Sequence, residues 1–186
     1  MKDVVFVTGN AHKAKYFSHI VGFTIENHAV NLPEIQSVDM KEITEDKARR
    51  AYDILKRPVI VEDVALYFDA LGRLPGPFIK FFVEETNGLE NLCRMLDGFT
   101  SRRAHTVAMT TYYDGKKFTH FEGGSYGEIA DHPRGSSGFG YDMIWCVDGY
   151  GGRTRAELSP VDDEASYINA RPIARIQTFF ASNTNE

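Results

Sequence analysis

Val4-Val5-Phe6-Val7 is an unbroken apolar run that ends at Thr8-Gly9-Asn10, and it constrains the fold more than any other feature of the chain. A short apolar run closed by turn residues reads as a buried strand entering a turn. A helical pattern follows from about Ala11 to Ile20, with Ala14, Phe17 and Val21 on its inward side. The same order then returns. A helix predicted from about Glu42 to Leu55, ending near Arg57-Pro58, leads into a second apolar strand at Pro58-Val59-Ile60-Val61. Glu62-Asp63 is expected to stop that strand.

The later chain is richer in strands. Leu71 to Pro77 is turn-like, and Phe78, Phe81 and Phe82 follow at helical spacing. Leu89, Leu92, Cys93 and Leu96 form a helical stripe capped near Thr86 or Asn87. Ala104 to Tyr113 and Lys117 to Glu122 flank Asp114-Gly115, a hairpin signal. Ser125 to Ala130 reads as a third strand and Met143 to Val147 as another. A last helix starts near Arg171, with Pro172 in its first turn. Early alternation and a central cluster of strands predict an α/β protein with a mixed, twisted sheet and flanking helices.

Bulk properties narrow the function classes. At 186 residues, the chain suits a single domain spanning 1–186, with room for two lobes. Its 42% apolar and 25% charged residues are ordinary for a globular protein. No apolar run approaches the roughly 18–20 residues that span a bilayer, and the N-terminus lacks a secretory pattern. The expectation is a cytoplasmic protein with no membrane partner. A net charge of −5 argues against binding a nucleic-acid polymer but leaves room for a local basic pocket. Cys93 and Cys146 are too few for a disulfide framework, and the six histidines lack a metal-binding spacing.

Four segments carry candidate chemistry. Thr8-Gly9-Asn10-Ala11-His12-Lys13 joins a strand to a helix; it is either a phosphate cradle on a helix N-terminus or an ordinary turn capped by Thr8 or Asn10. Val61-Glu62-Asp63-Val64 sets two acids after a strand. One carboxylate there can hold Mg²⁺ while another activates water, or the pair is a solvated acidic turn. Glu34 is a lone acid in Leu32-Pro33-Glu34-Ile35-Gln36 that can complete a hard-cation site. Gly138-Phe139-Gly140-Tyr141-Asp142 interleaves aromatics and glycines, which suits either a nucleobase pocket or a glycine-rich turn with core aromatics.

Together, in this order and spacing, these segments resemble the inosine triphosphate pyrophosphatase family. The similarity also covers Ala-Leu-Gly-Arg-Leu-Pro-Gly-Pro-Phe-Ile-Lys at 70–80 and Ala-Glu-Leu at 156–158, and runs from Val5 to about Ala174. The resemblance implies an elongated α/β fold with two lobes around a central cleft, and a homodimer. It implies Mg²⁺-dependent cleavage of a deaminated purine nucleoside triphosphate to monophosphate and pyrophosphate. By the same resemblance Thr8, Gly9, Asn10, Lys13 and Lys47 bind the triphosphate, and Glu34 and Asp63 hold the metal. Asp63, supported by Glu62, serves the attacking water. Phe139, Gly140, Tyr141, Asp142 and Arg171 receive the base.

The C-terminal recognition segment departs from the family pattern. Asn169-Ala170-Arg171 takes the place of Ser-His-Arg after an insertion of about two residues, the preceding lysine has no equivalent, and Val64 replaces a small hydroxyl residue. A 6-oxo purine offers an acceptor and calls for donors, so the lost histidine and lysine bear on base selectivity. Two alternatives follow: a pyrophosphatase for another modified nucleotide, and a non-catalytic nucleotide-binding protein on the same fold.

Overall fold

The computed structural model describes residues 4–21 and 25–182. In chain order the elements are β1 (Val5–Val7), α1 (Ala11–Val21), β2 (Glu26–His28), α2 (Met40–Leu55), β3 (Val59–Phe68), β4 (Pro75–Gly76), α3 (Ile79–Val83), α4 (Gly88–Arg94), β5 (Arg103–Tyr113), β6 (Phe118–Ile129), β7 (Trp145–Val147), α5 (Pro160–Asn169) and α6 (Ile173–Ser182). The seven strands make one mixed sheet in the order β2-β1-β3-β5-β6-β7, with β4 paired to β3. β1 is parallel to both β2 and β3, whereas β3–β4 and β6–β7 are antiparallel. This is the α/β architecture that the patterning predicts. The chain divides into two compact units, Met1–Asp63 with Ala108–Gly123 and Arg171–Glu186, and Val64–Val107 with Gly124–Ala170.

In the first unit, β1 is apolar throughout because both of its faces are covered. Successive strand side chains point to opposite sides. Phe6 enters a cluster with Phe17, Val21, Ile60, Ile176 and Phe180, stacking on Phe17 at 4.3 Å between centroids. Val5 and Val7 enter a second cluster with Val59, Val61, Ala48 and Ala51. Each fully buried side chain of this size contributes roughly 1.5–3 kcal/mol. α2 starts two residues before the predicted Glu42 because Asp39 caps it, accepting from the Lys41 N–H at 2.8 Å and the Glu42 N–H at 3.3 Å. It ends on Lys56, in the left-handed region at φ 54°.

β3 corrects one expectation. The strand does not stop at Glu62-Asp63 but runs on to Phe68, because partners elsewhere in the first unit neutralise both acids.

The second unit is built on Leu66, Phe68, Leu92, Leu96, Ile129, Ile144 and Trp145. α4 turns Leu92 and Cys93 into this core, as its stripe predicts. α3 buries Ile79, while Phe81 and Phe82 remain 55% and 38% exposed, so the helical spacing of the phenylalanines does not mark the buried face. Nor is there a separate third strand at Ser125 to Ala130. β6 passes through Gly123-Gly124 unbroken, and a Cβ on Gly124 would lie 2.1 Å from the Thr106 carbonyl oxygen, so glycine here permits close approach within the sheet. α5, absent from the sequence reading, is capped by Ser159, whose Oγ accepts from the Asp162 N–H at 3.2 Å.

Candidate active site

The turn after β1 is held by its own side chains. The Asn10 N–H donates to Thr8 Oγ1 at 3.1 Å, and the Lys13 N–H donates to Asn10 Oδ1 at 3.1 Å, so Asn10 caps α1. A Cβ placed on Gly9 meets no atom within 4 Å, which leaves the approach to this turn open. Lys13 rises from the first turn of α1 and donates through Nζ to the Glu62 carbonyl at 3.0 Å.

Glu62 and Asp63 are neighbours on β3, so their side chains leave opposite faces of the sheet. The Glu62 side chain is 1% exposed. Arg171, just before α6, donates Nε to Oε2 at 2.9 Å and Nη2 to Oε1 at 3.2 Å, and the Lys13 ammonium lies 3.6 Å from Oε1. Burial by itself pushes the Glu62 carboxyl up. Arg171, then Lys13, outweigh burial, and its pKa falls below the ordinary 4.5. Glu62 is therefore an ionised anchor for two cations.

On the other face, Lys47 of α2 donates Nζ to Asp63 at 2.8 and 3.0 Å and to Glu34 Oε1 at 2.8 Å. Burial lowers the Lys47 pKa, but Asp63 and then Glu34 more than reverse this and hold it above the ordinary 10.5. α2 is fixed in register by a polar chain close to Lys47. Thr44 Oγ1 donates to the Met40 carbonyl at 2.9 Å and accepts from Thr111 Oγ1 at 2.7 Å; His120 bridges Thr111 and Glu45 at 3.0 and 2.9 Å.

Two carboxylates, from Glu34 and Asp63, thus converge on one cationic point. Hard oxygen donors in this number fit Mg²⁺, which takes one or two carboxylates and completes its shell with phosphate oxygens and water. Among the described residues no group of three or more His, Cys, Asp or Glu is gathered for a metal. Glu34 and Asp63 are the residues that would hold such an ion.

In the second unit, the Gly138–Asp142 loop curls around a buried carboxylate. The Phe139 N–H donates to Asp142 Oδ2 at 2.9 Å, and Gly138 and Gly140 take φ of 82° and 61°. Phe139 and Tyr141 are half-buried, and Tyr141 packs against the core cluster. Arg155 Nη1 donates to Asp142 Oδ1 at 3.1 Å. Sequence reasoning passed over Arg155. It stands one residue before the Ala156-Glu157-Leu158 motif, and no local pattern ties it to Asp142.

In the first unit the structure brings Lys13 and Arg171 to Glu62 on one face of β3 and Lys47 to Glu34 and Asp63 on the other, with Thr8, Gly9 and Asn10 in the turn before α1; Phe139, Gly140, Tyr141 and Asp142 share one loop of the second unit.

Similar proteins have the same architecture and related sequences. A Staphylococcus aureus Ham1 protein superposes with a TM-score of 0.81 at 26% identity, covering 97% of this chain and 100% of that one. A Coxiella burnetii HAM1 protein, at 24% identity and a TM-score of 0.83 over 98% and 100% of the two chains, shares the fold. The Ham1 family profile matches residues 4–177, and the chain belongs to this family. Its relatives include inosine triphosphate pyrophosphatase 2 of Trypanosoma cruzi (strain CL Brener), 42% identical over 93% of this chain and 88% of that protein. The inosine triphosphate pyrophosphatase of Kluyveromyces lactis is 37% identical over 95% of each.

Proposed function

We propose that this chain is a nucleoside triphosphate pyrophosphatase that hydrolyses deaminated purine nucleoside triphosphates, those of inosine, deoxyinosine and xanthosine, to monophosphate and pyrophosphate. The observation that carries this reading is the set of three cations held by three carboxylates on the two faces of β3: Lys13 and Arg171 on Glu62, and Lys47 on Asp63 and Glu34. The kinship with inosine triphosphate pyrophosphatases supports it.

In this mechanism Thr8, Gly9, Asn10 and Lys13 receive the triphosphate at the N-terminus of α1, where the helix dipole favours an anion. Lys47 adds positive charge on the phosphate side. Arg171, kept in place by Glu62, serves as a donor to the base end, and Phe139, Gly140, Tyr141 and Asp142 form the base pocket. Asp63 accepts a proton at a carboxylate oxygen from the water that attacks the α-phosphorus. A new P–O bond forms there as the bond to the bridging oxygen of pyrophosphate breaks. Glu34 and Asp63 would hold Mg²⁺, whose charge neutralises the phosphates and the leaving pyrophosphate. Catalysis then rests on position and charge rather than on a covalent intermediate.

The proposal extends to both units acting as one catalytic domain over 1–186, in a cytoplasmic homodimer. Among the described residues no helix is long and apolar enough to cross a membrane. The test is pyrophosphate release with Mg²⁺ across inosine, xanthosine, guanosine and adenosine triphosphates. Turnover led by the first two supports the reading. Turnover led by a different modified nucleotide redirects the substrate, and binding without turnover on any triphosphate contradicts an enzyme.

A further inference from the structure

Asp142 ends the glycine loop with a side chain only 4% exposed, and both of its oxygens accept bonds from the protein. Oδ2 takes the Phe139 N–H and Oδ1 takes Arg155 Nη1. Arg155 in turn gives Nε and Nη2 to Asp163 Oδ1, at 2.9 and 2.5 Å, and its guanidinium carbon lies 5.9 Å from the Tyr167 ring centroid. Asp163 belongs to the first turn of α5. A continuous relay therefore runs from α5 through one guanidinium to the loop amide beneath Phe139.

We propose that Arg155 is a positioning residue for base recognition: it ties the Gly138–Asp142 loop to α5 and thereby sets where the Phe139 ring stands. The proposal rests on the pyrophosphatase reading and deepens it. Arg155 gives the buried Oδ1 a charge-assisted hydrogen bond, and without it the carboxylate loses the contact that ties it to α5 and holds Oδ2 under the Phe139 N–H. The loop packs closely on this side chain: a Cβ on Gly138 would lie 2.5 Å from Oδ2. Lysine does not replace arginine here. The two acceptors sit on different elements, and one planar fork reaches both where a single ammonium does not.

The backbone around Arg155 is secured independently of its side chain. The Ala156 N–H donates to the Asp142 carbonyl at 3.1 Å, and Thr154 and Glu157 form a capping box across the 3-10 turn at Arg155–Glu157. Changing the side chain therefore alters the aim of the loop more than its register.

The experiment compares wild type with Arg155→Lys and Asp163→Asn in steady-state kinetics on inosine and adenosine triphosphates. Loss of a positioning contact raises KM for inosine triphosphate about tenfold in Arg155→Lys, leaves kcat within about twofold, and shrinks the preference for inosine over adenosine about tenfold. Asp163→Asn moves both in the same direction by less. Inhibition by tripolyphosphate, which has no base, stays unchanged. An unchanged base preference in a folded variant overturns the proposal, as does a parallel loss of tripolyphosphate inhibition. Should the wild type turn over no purine triphosphate, the pyrophosphatase reading fails separately, and the relay is judged by hydrogen exchange at the Phe139 amide. About tenfold faster exchange in Arg155→Lys upholds the positioning, and unchanged exchange overturns it.

Discussion

Glu62 and Arg171 stand 109 residues apart in sequence and meet through two hydrogen bonds, with side chains 1% and 8% exposed. The pair joins β3 to the start of α6, and it leaves Arg171 held in one orientation. Without Arg171 the buried Glu62 carboxylate loses both guanidinium bonds and keeps the Lys13 ammonium at the longer 3.6 Å. Arg171→Met is therefore expected to destabilise the protein by about 3–5 kcal/mol, read as a lower midpoint in urea denaturation. A change under about 1 kcal/mol would show that Glu62 finds another partner.

The same pair gives a pH signature. The Glu62 pKa is lower in the folded chain than the ordinary 4.5, so its contribution is complete above that value and is lost as pH falls through the lower folded value. Wild type should exceed Glu62→Gln in stability by a margin that is constant near neutrality and narrows below about pH 4.5. Denaturation series from pH 7 to pH 3 check this, and a margin that stays constant throughout would contradict it.

Asp63 and Lys47 predict different kinetic phenotypes. In the proposed mechanism Asp63→Asn removes the proton acceptor and one of the two carboxylates that would hold the cation, and kcat should fall by about 10²–10⁴. In the same mechanism Lys47→Met removes a charge from the phosphate side without removing the acceptor, so its main effect should be a raised KM for every triphosphate alike. Steady-state kinetics on two different bases separate these outcomes.

Thr111 is a test of how α2 is held. Thr111→Val deprives buried Thr44 and half-buried His120 of a partner at once. A loss of roughly 1–3 kcal/mol is expected, measured by chemical denaturation. Turnover per folded molecule should drop as well, because Lys47 lies one helical turn beyond Thr44.

Much of this fold is legible in local pattern. The apolar run of β1, the helical faces of α1 and α2 and the turn at Asp114-Gly115 follow from periodicity and turn chemistry alone. The places that escape are those where a distant residue decides. Glu62 and Asp63 read as the end of a strand, and cations from other elements, Arg171 and Lys13 for Glu62 and Lys47 for Asp63, let the strand continue. Ser159-Pro160 followed by Asp162-Asp163 has the composition of a helix N-terminus, yet the acidic stretch hides the helix that buries Ser166 and Tyr167. Arg155 carries no local signal at all. Its role depends on Asp142 and Asp163 being brought to it by tertiary structure.

Turnover of inosine triphosphate in ¹⁸O-labelled water with Mg²⁺ reads directly whether water attacks the α-phosphorus. Attack there puts one labelled oxygen in the monophosphate and leaves pyrophosphate unlabelled, and Asp63→Asn should lose both products. Label in pyrophosphate, or release of inorganic phosphate as the first product, would contradict it.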